Sequence, residues 1–400
     1  MNKQRASIAF IFVTLTLDMV GIGIVIPSLP DIMRRFLADE ANVSQYFGYF
    51  ISLYAAMQLV ASPLLGMLSD MFGRRIVLLL SLFTAGCDYI LMAFAPSLRW
   101  LFAGRIISGL TGANVTVAMA YVADISTEEN RAKNFGMLGA AFGLGFVIGP
   151  AMGGLLGHLG PQYPFLAASA INLLNWLYGY FVLPESLAKE SRRSFSWERM
   201  NPLSSLKSVF RREHIFILAI VYFVLQMAGQ THPSIWTLYT EHRFGWEKWQ
   251  VGISLTIVGL MSAISQGVFS GWLLPKWGER NTVIWGSFGG AITFALFALA
   301  TQGWMMYAIL CLSVFTWLAQ PALQSLISRG VSSQEQGELQ GSLVSLGSLA
   351  AIINPICVTQ LFSIFSQKTP GHLYIPGAPY FFAATMSFLA FLVARKHAKG

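Results

Sequence analysis

Long apolar runs alternate with short polar stretches along the whole chain. A membrane-spanning α-helix needs roughly 20 mostly apolar residues. Twelve runs are long enough, which predicts an all-α polytopic membrane protein with twelve transmembrane helices. The predicted spans cover residues 6–29, 46–67, 76–95, 99–122, 134–157, 163–183, 214–240, 249–273, 281–301, 304–328, 338–366 and 377–394.

The amino-acid composition excludes several other classes of protein. Of the 400 residues, 55% are apolar and 11% are charged, against roughly 25% charged residues in an average soluble domain. So few charges cannot solvate a soluble globule, which argues against a soluble enzyme, a secreted disulfide scaffold and a disordered chain. Cys87, Cys311 and Cys357 all lie within apolar segments. We expect them to be small buried apolar residues, with no disulfide framework and no metal site.

Lysine and arginine are distributed unevenly between the two sides of the predicted bundle. With twelve spans both termini lie on one side, which carries 19 of these residues against 6 on the other. Because cytoplasmic loops carry the excess of Lys and Arg, both termini are predicted to be cytoplasmic. The net charge of +8 lies in these loops and does not indicate a nucleic-acid partner. The first apolar run lacks an obvious cleavage site, and we interpret it as an uncleaved span.

A segment near the second span recurs in the second half of the chain. Residues 66–75 (GMLSDMFGRR) match residues 271–280 (GWLLPKWGER) at both glycines and at the final arginine, 205 residues later. The same offset relates Pro150 to Pro355. We interpret the repeat as two homologous six-helix halves, an arrangement by which many transporters build a central site. The alternative is coincidence, since glycine and proline are common in membrane helices.

The longest polar stretch lies between these halves. We predict an N-terminal six-helix half over residues 1–183, a cytoplasmic linker over 184–213, and a C-terminal six-helix half over 214–400. The linker is interpreted as a solvated loop.

Three charged residues lie inside predicted spans of the first half. Asp18 is midway along the first span, Asp88 is in the third and Arg105 is near the start of the fourth. A charge in the hydrocarbon region is costly, and such residues usually face a cavity and have a function. Desolvation raises the pKa of a carboxyl group and a nearby arginine lowers it, a balance that suits a proton carrier. The functional interpretation is a proton or cation-coupling site, and the alternative is a static ion pair.

Charged residues at the cytoplasmic ends of spans form a second candidate set. Asp70 and Asp124 lie where water reaches them, and Arg74 and Arg75 follow Asp70 by one helical turn. We interpret this set as a cytoplasmic gate that holds one conformation and releases another. The alternative is that the arginines only orient the helices.

Uncharged polar residues also recur within the spans. Each needs a partner in a dry environment, and hydrogen bonding between helices is the simplest role. Gln226 and Gln230 are four residues apart and share a helix face, as do Gln320 and Gln324, so these pairs are candidates for lining a cavity. The full set comprises Gln58, Asn114, Asn172, Asn175, Gln226, Gln230, Gln266, Gln320, Gln324 and Asn354.

The fifth span is rich in glycine. Small residues at four-residue spacing allow helix backbones to approach closely, and a proline within a helix removes a hydrogen bond and bends it. We expect a bent helix with a smooth face, suited to a sliding or rocking contact. The residues concerned are Gly145, Gly149, Pro150, Gly153 and Gly154.

These motifs carry a resemblance to a known family. The pattern at residues 66–75 resembles the signature between the second and third helices of the major facilitator superfamily, and residues 145–154 resemble the fifth-helix signature of its proton-coupled antiporters. More closely, the chain is similar to the tetracycline/proton antiporters over nearly its whole length. The first of these signatures is carried by Gly66, Asp70, Gly73, Arg74 and Arg75.

The resemblance implies a major facilitator fold and export of a solute in exchange for protons. It places Asp18, Asp88 and Arg105 in the transport and coupling network, and Asp70 and Arg74 in the cytoplasmic gate. Ser262 and Gly290 stand where the drug exporters typically have a histidine and an aspartate. The second half has no acid deep within a span, so proton coupling would fall to Asp18 or Asp88.

The sequence therefore predicts a proton-coupled exporter of an amphipathic organic solute, such as a tetracycline-like drug, in a bacterial inner membrane. Its partners are a small-molecule substrate, protons and the lipid bilayer, and we expect a monomer with no cofactor. The alternatives are an exporter of another natural product, such as a siderophore or metabolite, an uncoupled facilitator, and a non-transporting receptor. An enzyme is not expected, because the sequence has no nucleophile–base set or phosphate loop.

Overall fold

The computed structural model describes residues 3–112, 114–192, 213–331, 335–368, 370 and 373–397. These residues form α-helices joined by short connections, with no β-strand among them. Most of the predicted linker, including residues 193–212, lies outside the described residues. The α-helices are α1 (Lys3–Val25), α2 (Leu29–Arg34), α3 (Glu40–Phe72), α4 (Arg74–Phe94), α5 (Leu98–Thr111), α6 (Asn114–Ile125), α7 (Arg131–Gly157), α8 (Tyr163–Val182), α9 (Glu213–Phe244), α10 (Lys248–Ile264), α11 (Ser270–Leu299), α12 (Gly303–Leu312), α13 (Ala319–Arg329), α14 (Gln336–Phe365) and α15 (Ala378–His397).

Eleven helical stretches in the described part of the chain are long and apolar enough to cross a membrane, where the sequence predicts twelve. The difference arises between Lys248 and Leu299, which form one helical stretch of 52 residues. This stretch contains two of the predicted spans, 249–273 and 281–301. It is interrupted at Gly278, whose φ of 73° is not helical.

The chain divides into two compact units, each assembled mainly from one half of the sequence. Unit 1 consists of residues 1–36, 53–201 and 247–259. Unit 2 consists of residues 37–52, 202–246 and 260–400. Each unit thus includes a short segment contributed by the other half.

Unit 1 has a core in which α1 packs against α7 at very short range. A Cβ atom at Gly23 would come 2.8 Å from the Pro150 side chain and 2.9 Å from the Gly149 backbone, and a Cβ atom at Gly153 would overlap the Ile24 carbonyl oxygen. Only glycine allows this approach, so the small residues of α7 determine how closely the two helices pack.

Unit 2 has its own buried core, which includes Tyr222, Leu323 and Leu343. Asn354 of α14 ties this helix to α9, because its side-chain amide donates to the Met227 carbonyl oxygen at 2.6 Å and to Thr231 Oγ1 at 3.1 Å. This is the interhelical hydrogen bonding that buried amides in spans are expected to provide.

Large apolar side chains are exposed on the helices, among them Leu155, Phe181 and Trp304. Such a surface suits lipid tails rather than water. Cys87 and Cys311 are also exposed and Cys357 is half-buried, so the prediction that all three are buried is wrong. A thiol is apolar enough to face lipid. The position of a cysteine within an apolar run therefore does not reveal whether its side chain points into the helix bundle or out toward lipid. All three cysteines are free.

Candidate functional site

Asp18 is buried within unit 1 and has a polar partner on another helix. Its side chain is on α1 and only 4% of the residue is exposed. The amide Nδ2 of Asn114, the first residue of α6, donates to Asp18 Oδ2 at 3.1 Å. Asn114 is itself buried. The first and fourth predicted spans thus meet at a hydrogen-bonded carboxyl group.

Asp88 is the second buried acid, on α4, with 5% of the residue exposed. The glycine at position 104 leaves room for it, since a Cβ atom there would overlap Asp88 Oδ1. That oxygen accepts no hydrogen bond from any described residue. Arg105, next to this glycine on α5, acts on Asp88 through its charge.

Two tyrosines lie among the charged residues of unit 1. The Arg105 guanidinium lies over the Tyr54 ring, 5.3 Å from its centroid. Tyr54 and Tyr89 both lie within electrostatic reach of Asp18, Asp88 and Arg105. The structure therefore brings the three charged residues predicted for coupling into one neighbourhood, with tyrosine rings among them.

Gln58 lies beside the break between α5 and α6. Its side-chain amide donates to the Gly112 carbonyl oxygen at 3.0 Å. That oxygen belongs to the C-cap residue of α5, where helical hydrogen bonding stops and carbonyl groups lack partners. The following residue, Ala113, lies outside the described residues.

Arg74 is the centre of an ionic cluster at the start of α4. Its guanidinium contacts Asp70 Oδ1 at 2.6 Å and Asp124 Oδ2 at 3.1 Å, and it donates to Ser69 Oγ. Only 8% of Arg74 is exposed. The preceding residue, Gly73, has a φ of 106°, which lets the chain turn sharply between α3 and α4. Gly66 lies one turn before Asp70 on α3, with open space beside it.

Glu185 completes this cluster and is not among the residues that the sequence singled out. Its carboxylate accepts from the backbone N–H of Arg74 at 2.8 Å and of Arg75 at 3.3 Å, which caps the N-terminus of α4. The neighbouring Ser186 hydroxyl donates to Asp124 Oδ2 at 3.0 Å. The Arg75 side chain turns away and donates to the Tyr180 carbonyl oxygen. An acid two residues after a predicted span was the only available signal.

Unit 2 contains a related ion pair. Glu279 Oε1 lies 2.7 Å from Arg329 Nη2 and also accepts from Ser325 Oγ. Glu279 follows Gly278, whose φ is positive. The same 205-residue offset found in the sequence relates Gly73 to Gly278.

The glycines of α7 face two different partners within unit 1. Gly145, Gly149 and Gly153 lie against α1, where added Cβ atoms would meet the backbone or side chains of that helix. Gly154 lies against α10, 2.7 Å from the Lys248 carbonyl oxygen when a Cβ atom is added. At the same end, Lys248 Nζ forms an ion pair with Asp31 at 2.8 Å.

Side-chain amides form a hydrogen-bonded cluster in unit 2. Gln226 Nε2 donates to the Tyr222 hydroxyl at 3.0 Å, and Gln320 Nε2 donates to Gln226 Oε1 at 2.7 Å. Gln324 Nε2 donates to the same tyrosine hydroxyl at 3.3 Å. Gln230, one turn further along α9, does not take part in these hydrogen bonds.

Ser262 and Gly290 occupy the positions of unit 2 at which the resemblance leads us to expect a histidine and an aspartate. Ser262 accepts a hydrogen bond from Gln266 at 3.0 Å within the same helical stretch. Gly290 is buried, and a Cβ atom there would meet only Ser387 at 3.6 Å. Across the described ranges, no group of three or more His, Cys, Asp or Glu side chains is arranged to hold a metal ion.

Comparison with known proteins identifies the family. The model of the Major Facilitator Superfamily matches residues 11–355. The chain belongs to the major facilitator superfamily. It is 41% identical over 376 residues to the class C tetracycline resistance protein of Escherichia coli, covering 94% of each chain. It is 36% identical to the class B protein of Escherichia coli, over 98% of this chain and 97% of that one.

Solved structures agree at the level of the fold. The human organic anion transporter MFSD10 superimposes with a TM-score of 0.71 at 23% identity, over 98% of this chain and all of that one. The nucleoside transporter NupG superimposes with a TM-score of 0.77 at 15% identity, over the full length of both.

The predicted resemblance to this superfamily and its tetracycline exporters is confirmed. The protein is a multi-pass membrane transporter of the drug-efflux type and not an enzyme. The alternatives of another exported natural product and of an uncoupled facilitator are not favoured.

Proposed function

We propose that this transporter exports an amphipathic solute of the tetracycline type across the bacterial inner membrane in exchange for protons. The observation that carries the proposal is the pair of buried carboxyl groups, Asp18 and Asp88, in a chain 36% and 41% identical to two tetracycline resistance proteins. Buried acids are costly within a membrane, and the acids that occur there usually have a function.

The proton is carried by unit 1. Asp18 keeps one hydrogen bond from Asn114 whether it is charged or neutral. Asp88 has an oxygen without a hydrogen-bond partner among the described residues and lies within the field of Arg105. Asp88 exchanges its proton with water, and access to water from one side of the membrane or the other decides the direction of transfer.

The chain crosses the membrane twelve times in two homologous halves, with both termini in the cytoplasm. The stretch from Lys248 to Leu299 contains 52 residues, which at 1.5 Å per residue would extend roughly 78 Å, more than twice the ~30 Å hydrocarbon thickness. The non-helical φ of Gly278 supports a division of this stretch into two spans. The transporter functions as a monomer by alternating access.

Arg74, Asp70 and Asp124 form the cytoplasmic gate, together with Glu185 at the start of α4. Arg74 links two acids that would otherwise repel each other. Opening the cytoplasmic side breaks these contacts, and closing it restores them. The glycine face of α7 provides the close contact against which α1 moves.

Growth protection tests the proposal directly. Bacteria that express this chain are challenged with a panel of drugs that includes tetracycline. We expect protection against tetracycline, which Asp18→Asn and Asp88→Asn abolish. Asp39→Asn serves as a control, because Asp39 is an exposed acid between two helices. Protection against unrelated drugs but not tetracycline would overturn the proposed substrate class.

A further inference from the structure

The amide cluster of unit 2, defined as Tyr222, Gln226, Gln320 and Gln324, joins two helices through uncharged groups. Tyr222 and Gln226 are on α9, and Gln320 and Gln324 are on α13. The three hydrogen bonds between them measure 2.7, 3.0 and 3.3 Å. A single bond would suffice to tie the helices together, and the cluster contains more polar groups than that role requires.

Hydrogen-bonding capacity is left over within the cluster. The Tyr222 hydroxyl accepts from both Gln226 and Gln324, which leaves its own proton free to be donated. The carbonyl oxygens of Gln320 and Gln324 take no part in the three hydrogen bonds of the cluster, and both residues are half-buried. Gln320 and Gln324 each also keep a second amide N–H, so the half-buried glutamines offer donors and acceptors side by side over the buried Tyr222 hydroxyl.

The cluster lies on two helical stretches that are long and apolar enough to span a membrane, on a face that is partly accessible. All three glutamines are half-buried. Amide groups are not placed against lipid tails, because hydrocarbon offers no hydrogen-bond partners. Gly347 of α14 makes room for Gln226, since a Cβ atom there would come 2.8 Å from Gln226 Nε2. Gly229, one turn along α9, has open space beside it.

We propose that the amide cluster is a subsite for a neutral polar group of the solute that carries a donor and an acceptor together, as a primary carboxamide does. This inference rests on the proposed export function and names the group that unit 2 recognises. No member of the cluster is charged, so recognition depends on paired hydrogen bonds. A glutamine side chain itself ends in a primary carboxamide. Its N–H and carbonyl groups can therefore pair with the carbonyl and N–H groups of a carboxamide on the ligand.

The test compares tetracycline, which carries a primary carboxamide, with its analogue in which a nitrile replaces that group. Binding of each compound to the purified transporter in detergent is measured by titration calorimetry. The test variants are Gln320→Met and Gln324→Met, which keep the side-chain length and remove the amide. The control is Gln45→Met, which removes an amide hydrogen bond to Ser363 elsewhere in unit 2.

The wild type binds tetracycline more tightly than the nitrile analogue. Gln320→Met and Gln324→Met each weaken tetracycline binding by about three- to tenfold and leave binding of the nitrile analogue unchanged. Gln45→Met changes the binding of neither compound. Thermal unfolding confirms that each variant is folded.

The proposed substrate class and the carboxamide subsite can be refuted separately. If the wild type binds neither compound, the proposed substrate class is wrong. If the wild type binds tetracycline but both test variants weaken the two compounds equally, or not at all, the amide cluster is not the carboxamide subsite and the export function stands.

Discussion

Glu279 stands 205 residues after Arg74, and each residue forms an ion pair directly after a glycine with positive φ. Arg74 pairs with Asp124, and Glu279 pairs with Arg329. Asp124 and Arg329 are also 205 residues apart. The two ion pairs therefore occupy equivalent positions of the repeat with their charges exchanged, as expected if the halves share an ancestor and each kept an ionic contact at this turn.

The two ion pairs are predicted to differ in strength. The Arg74 side chain is 10% exposed and holds two acids, whereas the Arg329 side chain is 75% exposed. Removing one partner of a buried pair costs about 3–5 kcal/mol, whereas exposed pairs contribute roughly 0–1 kcal/mol. Arg74→Ala should lower the thermal unfolding temperature by several degrees and abolish drug protection, and Arg329→Ala should change both only slightly. Equal effects of the two variants would contradict this ranking.

Glu185 is predicted to stabilise the proposed cytoplasmic gate by capping α4. It accepts from two backbone N–H groups at the start of that helix, a contribution of about 1 kcal/mol. Glu185→Ala should lower the unfolding temperature by a small measurable amount and reduce transport. Glu190→Ala, an exposed acid in the same region, serves as the matched control. If both variants unfold at the wild-type temperature, the cap does not contribute.

The packing of α7 gives a prediction with a control in the same helix. A Cβ atom at Gly153 would overlap the Ile24 backbone, whereas one at Gly143 would meet nothing within 4 Å. Gly153→Ala should therefore push α1 and α7 apart, at a cost of about 1–3 kcal/mol, and lower both the amount of folded protein and drug transport. Gly143→Ala should behave as the wild type. The comparison is made by fluorescence-detected size-exclusion chromatography and drug-protection assays.

Asn114 is predicted to support Asp18 without carrying a proton. Asn114→Leu removes the hydrogen bond to Asp18 Oδ2 and should slow transport several-fold, because it leaves a buried carboxyl oxygen without the partner that positions it. Asn114→Ser should retain part of the activity, since a hydroxyl can still donate. Full activity of the leucine variant in transport assays would show that this contact has no role.

Much of the architecture was readable from the sequence, because hydrophobic length and the position of charges are local properties. Asp18 and Asp88 are conspicuous as acids within apolar runs, and the structure places both in unit 1 near Arg105. The helix count differed, because only a kink at Gly278, with no connecting loop, separates two of the apolar runs within the 52-residue stretch.

Contacts between distant residues could not be predicted in the same way. Glu185 is one of several acids in the predicted linker, and only the fold brings it to the start of α4. The bond from Gln320 to Gln226 joins residues 94 positions apart. Helical spacing predicted which glutamines share a face, and it carried no information about which faces meet.

The central claim is that Asp18 and Asp88 couple drug export to proton entry. Its most direct test is tetracycline uptake into everted membrane vesicles whose interior is made acidic, with the double variant Asp18→Asn/Asp88→Asn compared with the wild type. The account predicts that the pH gradient drives uptake by the wild type, that collapsing the gradient stops it, and that the double variant takes up no more than vesicles lacking the protein. Gradient-driven uptake by the double variant at the wild-type rate would contradict the account.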